Sequence, residues 1–216
     1  MKKTLLLLAA ALVLGTAARA QVTVIPKGGL TFSSVAATID NDLIRPEESA
    51  VTYKPGVAAG VGLNVPISKD GFFSVQPELL YVQKGAKITF TPTRTADASA
   101  FTRWETYNYL EVPVLGKINF GTGKVKLYVN AGPSLAYMLT GRYKMDWEAG
   151  AWGLPASSVE AKFIFREAPV PSSPDIARYR DPRQYNRLDV SLQVGGGAGL
   201  AFGPGTLLLD ARYGHG

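Results

Sequence analysis

Hydrophobic and polar side chains alternate along most of this chain with the period of two that is typical of β-strands. In the clearest segment, residues 57–67, valine, leucine and isoleucine occupy one face, and glycine and asparagine occupy the other. The same alternation recurs in residues 73–81, 110–120, 125–137, 188–200 and 207–213, and more weakly in residues 22–35. Most of these segments approach the roughly 9–11 residues that a tilted transmembrane strand needs. The pattern therefore predicts seven β-strands.

Short and long connections alternate between the predicted strands. The short ones are glycine-containing and lie at Ser68–Gly71, Gly121–Lys124 and Gly203–Gly205. The long ones are polar and lie near Thr38–Tyr53, Thr89–Arg103 and Arg142–Arg187. Short periplasmic turns and long outer loops are typical of outer-membrane barrels. We therefore expect an all-β fold, a transmembrane antiparallel up-and-down β-barrel with a periplasmic N-terminus and three long outer loops.

The two faces of the predicted strands differ in charge. The hydrophobic faces are bulky and almost free of charged residues, whereas the opposite faces combine glycine with acidic and basic side chains. A membrane barrel turns its hydrophobic face to lipid and its polar face to the lumen. Outer-membrane lipid is therefore the expected environment. The alternative is a soluble periplasmic β-barrel that binds an apolar ligand, with the face of Val57 and Leu63 turned inward.

The first twenty residues have the organisation of a secretory signal peptide. Two lysines precede the apolar run Leu5–Leu14, and Ala18–Ala20 forms an Ala-x-Ala cleavage site before Gln21. The apolar run is too short to cross a membrane of about 30 Å as a helix. We therefore expect export to the bacterial outer membrane through a cleaved signal peptide at residues 1–20, and a single barrel domain at residues 21–216.

Five motifs follow one another along the chain, namely Gln76–Tyr81 (QPELLY), Gln83–Lys87 (QKGAK), Tyr109–Leu115 (YLEVPVL), Ala131–Ser134 (AGPS) and Asp210–Gly214 (DARYG). In this succession the chain resembles the PorT-like outer-membrane β-barrel family of Bacteroidota. The resemblance implies a small eight-stranded barrel in the outer membrane. The founding member of that family is associated with type IX protein secretion, whereas most relatives are known only as outer-membrane barrel proteins.

The number of predicted strands is odd, whereas bacterial outer-membrane barrels have an even number. In the PorT-like family that the chain resembles, a further strand follows the segment that corresponds to Arg212–Gly214. We therefore expect eight strands in the full protein, of which seven are present here and the C-terminal one is missing.

The charged side chains of the polar face are the first candidate site. We expect a polar network in the lumen that consists of Glu78, Glu111, Lys117, Asp189, Asp210 and Arg212. Such a network could carry protons or ions, or could supply two carboxylates for acid–base chemistry. We favour a structural interpretation, in which ion pairs fill a barrel too narrow to conduct, because buried charges need partners and acids and bases roughly balance here.

The loop at residues 142–187 is the second candidate site. It carries the aromatic side chains Trp147, Trp152, Phe163 and Phe165. Aromatic residues on a long exposed loop suggest a surface that binds a partner or a glycan. With the resemblance, envelope or secretion-system proteins are the expected partners of the long outer loops. The alternative is a loop that folds over the barrel mouth and packs on itself. Residues 161–166 are also expected to extend the flanking strands as a hairpin beyond the bilayer.

Composition narrows the chemistry. The sequence contains no cysteine and one histidine, His215, and it shows neither clustered metal ligands nor a nucleophile elbow around a serine. Without the leader the net charge falls from +6 to +3, and no basic run interleaved with aromatics indicates nucleic-acid binding. We therefore expect no enzymatic activity, cofactor, metal or nucleic-acid partner. The expected function is a structural or interaction role in the envelope, and the resemblance alone suggests a link to protein secretion.

Overall fold

The computed structural model describes residues 22–34, 49–91, 100–121, 123–149, 155–165, 184–203 and 205–216. These residues form ten strands: β1 (Thr23–Ser33), β2 (Ser49–Pro66), β3 (Phe73–Phe90), β4 (Phe101–Phe120), β5 (Val125–Trp147), β6 (Ser157–Lys162), β7 (Ile164–Phe165), β8 (Gln184–Tyr185), β9 (Leu188–Phe202) and β10 (Gly205–His215). Among the described residues, no helix is long and apolar enough to cross a membrane. The predicted signal peptide lies outside the described residues.

Seven strands pair consecutively in one antiparallel sheet, in the order β1-β2-β3-β4-β5-β9-β10. The eighth member of the sheet is β6, which pairs with the outer part of β5, whereas β7 and β8 form a separate parallel pair. The predicted all-β, up-and-down antiparallel fold is confirmed, and the seven predicted strands are the seven consecutive ones. A further strand after Gly216 stays a prediction.

The sheet curls so that strands far apart in its order approach one another. Arg212 on β10 forms an ion pair with Glu78 on β3, at 2.7 Å between Nη1 and Oε2, although β4, β5 and β9 lie between these strands in the sheet. Lys27 Nζ on β1 lies 3.8 Å from Asp210 Oδ2 on β10. In the described part of the chain, β1 and β10 are the edges of the sheet and do not pair with each other. The sheet therefore forms a half-barrel around a lumen.

The tight turns lie at one end of the sheet, as predicted. Between β2 and β3, the Phe73 amide donates to Ser68 Oγ at 2.8 Å, and the Phe72 amide donates to Asp70 Oδ1 at 3.0 Å. The hydrogen bonds from Ser68 and from the Phe72 amide hold the pKa of Asp70 below its ordinary value. Gly71 has a φ of 71°, which residues with a Cβ rarely adopt. Local hydrogen bonds and one glycine thus define this turn.

Hydrophobic side chains face outward along the sheet, and polar side chains face the lumen. Val57, Leu63 and Leu209 are 48%, 40% and 78% exposed, whereas Glu78 and Glu111 retain 4% and 2%. Outward hydrophobic residues suit a lipid environment. The soluble alternative is therefore wrong, because it requires Val57 and Leu63 to point inward.

Four strands are longer than a bilayer requires. β2, β3, β4 and β5 contain 18, 18, 20 and 23 residues, whereas about 9–11 residues cross a membrane. The excess lies at the long-loop end, where outward hydrophobic residues cease after Tyr81 on β3 and before Leu110 on β4. Residues 83–90, 101–108, 140–147 and 157–162 project beyond this level and are termed the outer arm.

A one-residue irregularity in β5 marks the start of the outer arm. The register between β4 and β5 shifts from Tyr109↔Met138 to Asn108↔Thr140, so that Leu139 is an extra residue. Because side chains alternate with a period of two, one extra residue reverses the facing of everything beyond it. Odd-numbered residues of β5 therefore point outward before Leu139 and inward after it.

Candidate functional site in the lumen and at its outer mouth

Glu78 is the centre of a polar network in the lumen. Its carboxylate is fully buried, and Arg212 contacts it with Nη1 to Oε2 at 2.7 Å and Nη2 to Oε1 at 2.9 Å. Lys27 Nζ lies 2.5 Å from Oε1, and Gln76 also donates to that oxygen. A buried carboxylate needs such partners, because an unpaired charge in a low-dielectric interior is strongly destabilising. Glu78 therefore connects β1, β3 and β10.

Asp210 extends this network to β5. Arg212 donates to both of its oxygens, with Nε to Oδ1 at 2.8 Å and Nη2 to Oδ2 at 3.0 Å. The Tyr128 hydroxyl donates to Oδ2 at 2.9 Å, and Asn130 Nδ2 lies 3.4 Å from the same oxygen. Lys117 Nζ lies 3.9 Å from the centre of the Tyr128 ring, a cation–π contact. The network thereby reaches across five strands.

Glu111 is held in a second group, closer to the long-loop end. Ser134 Oγ donates to Glu111 Oε1 at 2.8 Å, and Gln193 Nε2 donates to the same oxygen at 2.5 Å. Lys84 Nζ lies 3.3 Å from Oε2. Asp189 is half-buried on the inward side of β9. The second group is therefore built from β3, β4, β5 and β9.

The structure divides the predicted lumen network in two. Glu78, Lys117, Asp210 and Arg212 share one group, and Glu111 belongs to the other. Sequence analysis missed Lys27 and Lys84, because alternation is weak in β1 and the predicted third strand ended before Lys84. With these two lysines, the named side chains comprise four cations (Lys27, Lys84, Lys117 and Arg212) and four carboxylates (Glu78, Glu111, Asp189 and Asp210).

Phe163 packs on the inner face of the outer arm. Its ring is 5% exposed, and its centre lies 5.2 Å from that of Tyr107 and 5.8 Å from that of Tyr143. The Phe163 amide donates to the Gly141 carbonyl at 2.9 Å, and a Cβ at Gly141 would overlap the ring. Met138 belongs to the same buried cluster. A hydrophobic cluster therefore covers the inner face of β4 and β5 at the long-loop end.

Charged side chains adjoin this hydrophobic cluster. Arg103 Nε lies 2.7 Å from Glu105 Oε1, and the Arg103 guanidinium lies 4.4 Å from the centre of the Tyr143 ring. The Tyr107 hydroxyl donates to Glu105, and Lys54 Nζ donates to the Glu105 carbonyl at 3.1 Å. Arg103 and Glu105 therefore contact the Tyr143 and Tyr107 side chains, which also pack against Phe163.

The four aromatic residues predicted as a partner surface occupy different places. Phe163 is buried and therefore unavailable to a partner. For this residue the alternative prediction, a loop segment that packs on the protein itself, is the better description. Trp147 ends β5 with 37% exposure, and its ring centre lies 4.8 Å from that of Phe101. Phe165 belongs to β7, and Trp152 lies outside the described residues. The predicted hairpin is formed by β6 with β5, slightly earlier than residues 161–166.

Three carboxylates of the lumen are engaged in ion pairs and hydrogen bonds. Glu78, Glu111 and Asp210 are each engaged by cations or hydrogen-bond donors at close range. Within the described ranges, no group of three or more His, Cys, Asp or Glu is placed to hold a metal ion. His215 is exposed at the end of β10.

Comparison with known families gives one match. Residues 18–216 match the family described as outer membrane protein beta-barrel domain. The match covers most of the chain, which therefore belongs to this family and to the outer membrane. The chain matches no curated protein and no solved structure. The narrower resemblance to PorT-like proteins stays a prediction.

Proposed function

We propose that this member of the outer-membrane β-barrel family is a structural or interaction component of the envelope, with a closed lumen instead of a conducting pore. The proposal rests chiefly on Glu78, whose buried carboxylate is held by Arg212 and Lys27 across the lumen. Conduction needs a continuous path of water, whereas barrels of about eight strands have interiors that side chains can fill. In this lumen, ion pairs of Glu78 with Arg212 and Lys27 occupy part of the interior.

The outer mouth supports the same proposal. Phe163 covers the inner face of β4 and β5 together with Tyr107 and Tyr143. An ion that passed the lumen network along β4 and β5 would next meet these hydrophobic side chains. The proposed closed lumen therefore has two layers of different chemistry along these strands, one of ion pairs and one of aromatic rings.

Single-channel recordings in planar bilayers test the closed lumen. The full chain should show no steady conductance, whereas long-lived, large conductance steps would contradict the proposal. The variant that combines Glu78→Ala with Arg212→Ala removes one anion and one cation together and should increase leakage. The matched control, Leu79→Ala with Leu209→Ala, changes the lipid face only and should remain silent. A heat-dependent shift in gel mobility confirms that each protein is folded.

The interaction role rests on the outer arm, which extends the protein beyond the bilayer. The PorT-like resemblance directs attention to secretion-system proteins as partners. In a source strain without this protein, substrates of type IX secretion should accumulate in the periplasm. Normal secretion in that strain would remove the link to secretion and would leave the proposal of a closed lumen intact.

In the proposed role, the protein performs no catalysis and needs no cofactor. Its leader is cleaved after Ala20. The intact mass of the protein isolated from outer membranes tests the cleavage. It should correspond to a chain that begins at Gln21. A mass that includes residues 1–20 would contradict cleavage.

A further inference from the structure

The outward face of the outer arm carries a row of cations around one indole ring. Lys87 on β3 is the register partner of Trp104 on β4, which is the partner of Lys144 on β5. The two lysine Nζ atoms lie 5.9 Å and 5.6 Å from the centre of the Trp104 ring. Arg142 and Lys162 are partners across β5 and β6. These five residues are termed the basic row.

The extra residue at Leu139 places the cations of β5 on the outside. Without it, the alternation of β5 would turn Arg142 and Lys144 toward the lumen and Tyr143 toward the exterior. In the observed register, Tyr143 is buried in the aromatic cluster, and the side chains of Arg142 and Lys144 are 61% and 53% exposed. The fold therefore directs these cations away from the lumen charges.

The basic row lies above Leu139 and Tyr81, the last outward hydrophobic residues of β5 and β3 before the outer arm. Its height above them indicates which part of the membrane surface it contacts. Arg142 follows Leu139 by three residues, which corresponds to about 7 Å of height for a strand tilted by about 45°. Lys144 and Lys87 lie about 12–14 Å above Leu139 and Tyr81 by the same geometry. A phospholipid headgroup layer is only about 5–8 Å thick. A membrane anion that contacts both Lys87 and Lys144 must therefore extend further from the bilayer than a phospholipid headgroup does.

The local acids leave the basic row with a positive excess. Lys144 Nζ lies 3.1 Å from Asp146 Oδ2, and Arg142 Nη1 lies 3.8 Å from Glu160 Oε1. Both pairs are solvent-exposed and therefore weak, so phosphate oxygens can compete for the cations. Lys87 and Lys162 add two further positive charges. Cation–π contacts to Trp104 restrain Lys87 and Lys144 before any ligand binds.

We propose that the basic row binds the phosphorylated saccharide headgroup of a glycolipid in the outer leaflet of the outer membrane. Charge complementarity identifies phosphate as the bound group, and the height of Lys87 and Lys144 identifies a headgroup thicker than that of a phospholipid. The long-loop end faces the outer leaflet in barrels of this kind. The basic row would thereby fix the depth and rotation of the outer arm relative to the membrane surface.

Native mass spectrometry of the full chain in detergent tests this proposal with three probes: lipopolysaccharide with a phosphorylated inner core, the same lipid after enzymatic dephosphorylation, and phosphatidylglycerol. The phosphorylated glycolipid should bind most tightly. The triple variant Lys87→Gln, Arg142→Gln, Lys144→Gln should lose roughly a hundredfold in affinity, since each cation near an anionic lipid surface contributes about fivefold. The control, Lys124→Gln with Lys126→Gln, neutralises lysines at the tight-turn end and should bind as the unaltered chain does.

Three results would each overturn the proposal: equal binding of the dephosphorylated lipid, equal binding of phosphatidylglycerol, or an equal loss of affinity in the control. Far-ultraviolet circular dichroism and the heat-dependent mobility shift check that the triple variant is folded. The single variant Lys144→Gln, which should lose about fivefold in affinity, provides a second test in a less altered protein.

Discussion

The ring of Phe163 lies directly over Gly141, and the Phe163 amide donates to the Gly141 carbonyl at 2.9 Å. A single methyl group at residue 141 would overlap the ring. The absence of a side chain at Gly141 is therefore what allows the segment after β6 to pack Phe163 on the inner face of β4 and β5. This contact joins a residue of the predicted loop to the strand that precedes it.

Replacement of Gly141 by alanine should displace Phe163 from the aromatic cluster. Overpacking of a buried site costs about 1–3 kcal/mol, and this cost should appear as a lower free energy of unfolding in urea. Hydrogen exchange of the β6 amides should become faster. The matched control is Gly28→Ala, because a Cβ at Gly28 meets no atom within 4 Å. Unchanged exchange in Gly141→Ala would contradict this packing of Phe163.

Removal of the Arg212 side chain should strongly destabilise the barrel. Arg212→Ala leaves the buried Glu78 carboxylate with a reduced set of cations, and breaking a buried ion pair costs about 3–5 kcal/mol. Adding Glu78→Gln removes the buried anion and should restore part of the loss. Urea unfolding in lipid vesicles measures both variants. Additive losses in the double variant would mean that the two residues are not energetically coupled.

The hydroxyl of Tyr128 should stabilise the lumen through Asp210. Tyr128→Phe removes the 2.9 Å hydrogen bond to a carboxylate and should lower the free energy of unfolding by about 1.5–3 kcal/mol. Tyr137→Phe is the control, because Tyr137 lies on the outward face and is 42% exposed. Equal effects of the two substitutions would exclude a specific role for the Tyr128 hydroxyl.

Acid should loosen the tip of the outer arm. The Ser158 hydroxyl donates to Asp146 at 2.6 Å, and this bond, with help from Lys144, holds the pKa of Asp146 below its ordinary value of 3.8. A lowered pKa in the folded arm means that the ionised carboxylate stabilises it at pH values above 3.8. That stabilisation is lost as the pH falls through the lowered pKa.

Trp147 fluorescence reports this transition, because Trp147 is the register partner of Ser157 at the same tip. In a background with Trp104→Phe and Trp152→Phe, the emission should stay constant above pH 3.8 and shift as the pH falls below it, through the lowered pKa of Asp146. Asp146→Asn should remove the shift. A shift that persists in Asp146→Asn would assign the acid sensitivity to another group.

The strands and their facing could be predicted from the sequence because both depend on local alternation. Glu78, Glu111, Asp210 and Arg212 are inward in the structure because each shares a strand with hydrophobic residues of the opposite parity. The sequence left the burial of Phe163 open, since its partner Tyr107 lies on β4 and Tyr143 faces inward only because of the register shift in β5. The extra residue at Leu139 was also invisible, because it is defined by pairing with β4.

Chemical access to the lumen tests the central claim, a closed interior, most directly. The chain has no cysteine, so a cysteine introduced as Ser134→Cys reports on the lumen without background, where Ser134 is 2% exposed. Lys124→Cys, in a solvent-exposed turn, provides the reactive control. In folded protein, a small water-soluble thiol reagent should label Lys124→Cys quickly and leave Ser134→Cys unlabelled until urea is added. Rapid labelling of Ser134→Cys in the folded barrel would show a water-filled lumen and contradict the account.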